Sequence, residues 1–120
     1  MHIVTNNPKI LSAYPGVKWV AGGPLEVLGE CRKMVHEGYS LFTHPLMGDI
    51  HLMVNPFRTV ILGEKREEID LHSLEWIEGS MEKLRLVRRE PRGSKDLEDY
   101  QIIDFDLFQT STQSEGFDGK

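Results

Sequence analysis

Two short segments carry residue types that could do chemistry together. One is Thr5-Asn6-Asn7-Pro8, the other Thr43-His44-Pro45-Leu46-Met47-Gly48-Asp49. Each directly follows a stretch that reads as a β-strand. If those strands are parallel neighbours, both loops open on one edge of the sheet. The edge then collects two Thr hydroxyls (Thr5, Thr43), two Asn amides (Asn6, Asn7) and the His44 imidazole. Such groups donate and accept hydrogen bonds around a small polar or anionic ligand. The Gly22-Gly23-Pro24 turn would add backbone N–H groups at a helix N-terminus, where anions are favoured. The candidate ligand residues are therefore Thr5, Asn6, Asn7, Gly22, Gly23, Thr43, His44 and Gly48. His44 is the best candidate for an acid or base, because a histidine titrates near neutrality and strand ends are where ligands bind.

Each of these residues also has a plainer role. Asn-Asn-Pro is ordinary turn chemistry, in which Asn side chains bond nearby backbone. His44 before Pro45 could cap a loop. His44, Asp49 and His51 match no strong metal spacing, and no metal or cofactor is expected. His36 ends a helix, where a cation favours the dipole. Cys31 falls mid-helix on an apolar face, as a small hydrophobe does. There is no Gly-x-Ser-x-Gly elbow and no phosphate-binding P-loop.

The elements that would position the two loops follow from local signals. His2 to Thr5 reads as a first strand, ended by Asn6-Asn7-Pro8, since Pro8 biases Asn7 away from helix. Lys9 to Tyr14 allows one helical turn, and Val17 to Ala21 reads as a second strand. Pro24 and Gly38 bracket the clearest helix, with Leu25, Leu28, Cys31 and Val35 at helical spacing. Tyr39 to Thr43 and Arg58 to Leu62 read as further strands. Asp70 caps a second long helix striped by Leu74, Ile77, Met81 and Leu84, with Ile69 placed for a hydrophobic staple. In Tyr100 to Phe108, Ile103, Phe105 and Leu107 alternate with Asp104 and Asp106, which predicts a half-exposed edge strand. Strands alternating with helices predict one α/β domain over residues 1–109. Its sheet is expected to be mostly parallel, of about five strands, flanked by helices in a Rossmann-like three-layer arrangement. Thr110 to Lys120, rich in Ser, Thr, Gln, Gly and Asp, reads as a disordered tail.

Composition narrows the classes. The 120 residues include 14 basic and 19 acidic side chains, a formal charge of −5. Nucleic-acid binding wants a basic footprint, so none is expected. The single cysteine excludes an intrachain disulfide and a cysteine-based zinc site. No signal peptide or membrane span is visible, and a cytoplasmic protein is expected.

Several strings are more specific than composition. Ile3-Val4-Thr5-Asn6-Asn7-Pro8 is followed by Leu25-Glu26-Val27-Leu28, His36-Glu37-Gly38-Tyr39 and Leu41-Phe42-Thr43-His44-Pro45-Leu46-Met47-Gly48. Asn55-Pro56-Phe57-Arg58-Thr59-Val60 comes next. From Ile3 to about Leu62 the chain resembles the GrdX family. Those are small proteins whose genes accompany selenium-dependent glycine, sarcosine and betaine reductases in anaerobic bacteria. The resemblance implies a setting in amino-acid reduction, and reductase subunits as partners, without implying an activity. The chain departs from the family at Asp49-Ile50-His51-Leu52-Met53-Val54, where Ser-x-Lys-Pro-Asn-Glu is the pattern. That change removes a basic and an acidic residue from the expected ligand edge.

Three functions fit. The first is an accessory protein that binds a small anionic ligand or assists a reductase complex. The second is a small enzyme acting on a carboxylate or acyl phosphate, with His44 as general acid or base and Thr5, Asn6 and Thr43 orienting the substrate. The third is an interaction domain that forms a homodimer through the Tyr100–Phe108 edge.

Overall fold

The computed structural model describes residues 2–43, 55–86 and 94–114. The elements run β1 (His2–Thr5), α1 (Pro8–Ala13), β2 (Lys18–Trp19), α2 (Pro24–Glu37), β3 (Tyr39–Leu41), β4 (Thr59–Lys65), α3 (Leu71–Leu86) and α4 (Ser94–Ser114). The strands form one sheet in the order β2-β1-β4-β3. β1 and β2 pair in parallel, with Thr5 opposite Trp19. β4 is antiparallel to β1, with Thr5 opposite Thr59, and antiparallel to β3, with Leu41 opposite Leu62.

This corrects the expected architecture. The domain is α/β, but among the described residues its sheet has four strands rather than five and only one parallel pair. It is a mixed sheet and not a Rossmann-like one. β4 inserts between β1 and β3 and runs against both. A parallel neighbour to β3 would need a crossover connection, usually a helix, and no helix lies between β3 and β4 among the described residues. β1 and β3 are therefore not neighbours. Because each opposes β4, they still run the same way, so Thr5 and Thr43 leave the sheet at one edge.

The second correction concerns Tyr100–Phe108, which is the middle of helix α4 and not an edge strand. The alternation spans too few residues to fix a period. Over a longer window, buried Asp104, Phe108 and Ser111 recur at helical spacing. A dimer through a strand at this position loses its basis. α4 continues through Thr110 to Ser114, with Ser111 and Thr112 buried, while residues 115–120 lie outside the described residues.

The apolar run of β4 explains its central place. Val60 and Leu62 join Val4, Val27, Leu28, Cys31, Val35, Ile77, Met81 and Leu84 in one core, formed with α2 and α3. Ile61, pointing oppositely, meets Ile10 of α1 and Phe108 of α4 in a second core. A strand covered on both faces needs no polar alternation. α2 has the bounds that Pro24 and Gly38 dictate. Glu26 Oε1 accepts the Gly23 N–H at 2.6 Å. Gly38 closes the helix in the left-handed region at φ 115°. Before α3, Asp70 accepts the Ser73 hydroxyl at 2.7 Å, which holds its carboxyl below the usual range. No helix among the described residues is long and apolar enough to cross a membrane.

Candidate functional site

The site begins where β1 stops. Pro8 holds Asn7 extended, at φ −94° and ψ 117°, and supplies the first residue of α1. Asn7 then caps that helix, its Oδ1 accepting the Lys9 N–H at 3.0 Å. The Asn7 Nδ2 points the other way, into α4. It donates to the Gln101 carbonyl at 2.9 Å and to Asp104 Oδ2 at 2.9 Å.

Asp104 Oδ2 also accepts the Thr59 hydroxyl at 2.7 Å. Thr5 Oγ1 lies 2.8 Å from Thr59 Oγ1, across the β1–β4 register. A threonine has one hydroxyl proton. With Thr59 donating to Asp104, the Thr59 oxygen is left to accept; the Thr5 hydroxyl faces it at 2.8 Å and the Arg58 carbonyl at 3.4 Å. Thr5 Oγ1 in turn accepts the Asn7 backbone N–H at 3.0 Å. Asn7 N–H, Thr5, Thr59 and Asp104 thus form one connected hydrogen-bonded network.

Asn6 performs a different task. Its Nδ2 donates to the Gly22 and Pro56 carbonyls, each at 2.9 Å. Its Oδ1 accepts the Arg58 N–H at 2.8 Å. One side chain thus fastens the segments that follow β1, follow β2 and precede β4. Asn55 repeats the device: Nδ2 donates to the Tyr100 carbonyl at 3.0 Å and Oδ1 accepts the Phe57 N–H at 2.8 Å. Both amide hydrogens of Asn6 and of Asn7 therefore go to acceptors of the protein itself.

Asp104, Asn7, Thr5, Asn55, Arg58 and Thr59 are all buried. Burial raises the Asp104 carboxyl above its ordinary value. The Thr59 and Asn7 hydrogen bonds and the Arg58 charge oppose that rise without cancelling it. Beside this cluster an open groove of about 540 Å³ runs between α1 and α4, lined by Pro8, Lys9, Ser12, Ala13, Gln101 and Phe105. Lys9 Nζ lies 4.0 Å from a Glu98 carboxylate oxygen there.

Thr5, Asn6, Asn7 and Gly22 lie together where β1 and β2 end. Thr43 sits beyond β4, its Oγ1 accepting the Ile61 N–H at 3.1 Å. The Gly23 N–H, expected to face an anion, is held by Glu26. His44 and Gly48 lie outside the described residues, as do Asp49 and His51. The sequence reading missed Asp104, Thr59, Arg58 and Asn55 as members of the cluster. The available signal was an acidic residue in helical register with Phe108, at a position where a core residue belongs.

The chain is thus a small α/β protein, its described residues forming four helices and a four-stranded mixed sheet, with a buried polar cluster at the strand ends. A family model described as GrdX-like protein matches residues 2–113, and the chain belongs to that family. The match spans β1 to α4, so Asn7 and Asp104 both fall inside it. No curated protein and no solved structure matches the chain.

Proposed function

We propose that this GrdX-like chain is an accessory protein of selenium-dependent glycine, sarcosine or betaine reduction. It binds a small anionic ligand, a carboxylate or acyl phosphate, at the strand-end edge and does not turn it over. The observation that carries this reading is the convergence of hydroxyl and amide groups where β1 and β2 end and β4 begins, beside the groove bearing Lys9. The hydrogen bonds from Asn7 to α4 hold α1 and α4 on either side of the groove, where Lys9 supplies a cation for an anionic ligand. Family membership supports the metabolic setting.

Calorimetric titration of the intact protein with glycine, sarcosine, betaine and acetyl phosphate tests the reading, alongside pull-down of reductase subunits. The expected result is heat of binding without product, or retention of a subunit. No heat and no retained subunit would overturn it.

A further inference from the structure

The occupant of the strand-end cluster is α4 itself. Asn55 donates to the Tyr100 carbonyl, Asn7 to the Gln101 carbonyl and to Asp104, and Thr59 to Asp104. Arg58 is buried nearby and its charge acts on the Asp104 carboxylate. A hydroxyl and a side-chain amide are donors that recognise a free carboxylate. Burying a carboxylate is costly unless donors await it. An apolar side chain at this helical position would simply extend the core around Phe108. The chain instead buries a carboxylate, against donors that already stand at the strand ends.

We propose that Asp104 is an internal ligand: its carboxylate fills a carboxylate-binding pocket made by Thr59 and Asn7, and free small carboxylates compete with α4 for that pocket. The inference rests on the ligand edge proposed above and names its ligand class. As a tethered group, Asp104 acts at an effective concentration in the millimolar range or above, so a weak free carboxylate does not displace it.

The test is chemical rescue. Asp104→Ala removes a group the size of formate and keeps Cβ, while Asp104→Gly removes a group the size of acetate. Melting is followed in formate, acetate and equal chloride. At several times its dissociation constant, formate is expected to raise the Tm of Asp104→Ala by about 4 °C over chloride, and acetate to do the same for Asp104→Gly. Wild type and Asp104→Asn should not respond, because an oxygen already accepts from Thr59 and Asn7. If a truncated variant does not fold from expression, its refolding yield in carboxylate against chloride gives the same reading. Melting and refolding that do not distinguish carboxylate from chloride in either truncation would overturn the proposal. Retention of reductase subunits by wild type is read independently, so the two failures are distinguishable.

Discussion

The side-chain amide of Asn7 donates to the carboxylate of Asp104 at 2.9 Å, joining the end of the first strand to the last helix across 97 positions of sequence. The same side chain caps α1 through Lys9. Asn7 therefore serves a local helix and a long-range contact at once.

Replacing Asn7 with Ala should remove both. Loss of a helix cap costs about 1 kcal/mol, and loss of a buried hydrogen bond to a carboxylate adds about 1–3 kcal/mol. Urea denaturation of Asn7→Ala should show a loss of about 2–4 kcal/mol. A loss under about 1 kcal/mol, the value of a cap alone, would mean that the bridge to α4 contributes nothing.

The pH dependence of stability should carry the mark of Asp104. Burial raises its folded carboxyl pKa above the ordinary 3.8. The folded chain then holds that proton more tightly than the unfolded chain. The contribution of Asp104 is thus most favourable below pH 3.8 and declines as pH rises through the raised value. Asp104→Asn cannot titrate but keeps an accepting oxygen. Its stability relative to wild type should improve from about pH 4 upward and then level off. Asp70, whose pKa is lowered by Ser73, shifts stability in the opposite sense but is present in both proteins and cancels. Parallel curves for the two proteins over this range would contradict the assignment.

Two glycines should respond oppositely to alanine. Gly38 has φ 115°, and a Cβ there would run into the Arg66 carbonyl oxygen. Gly38→Ala should cost about 1–3 kcal/mol or more. Gly79 lies inside α3 with nothing within 4 Å of an added Cβ. Gly79→Ala should stabilise by about 0.5–1 kcal/mol. Thermal melting of the pair checks both signs, and a stabilising Gly38→Ala would refute the left-handed cap.

What could be read from sequence was local. Pro24 and Gly38 bound α2, and Pro8 with Asn7 placed the end of β1, because caps and proline constraints act within a few residues. Strand order was not legible. Nothing within His2–Thr5 or Thr59–Lys65 states that they pair, since that contact joins distant positions. Asp104 was misplaced for a related reason. Its five-residue neighbourhood alternates like a strand, and only Phe108 and Ser111 restore the helical period. For Asn6, turn chemistry and ligand chemistry use the same atoms, so the residue type could not separate them. Its bonds to Gly22, Pro56 and Arg58 display the turn role.

A double-mutant cycle of Asn7→Ala and Asp104→Ala, measured by urea denaturation, tests most directly whether Asp104 ties α4 to the strand ends. Groups in one buried network couple by about 0.5–3 kcal/mol, so the double variant should be more stable than the sum of the single losses implies, by about 1–3 kcal/mol. Losses that add within about 0.5 kcal/mol would contradict the tie.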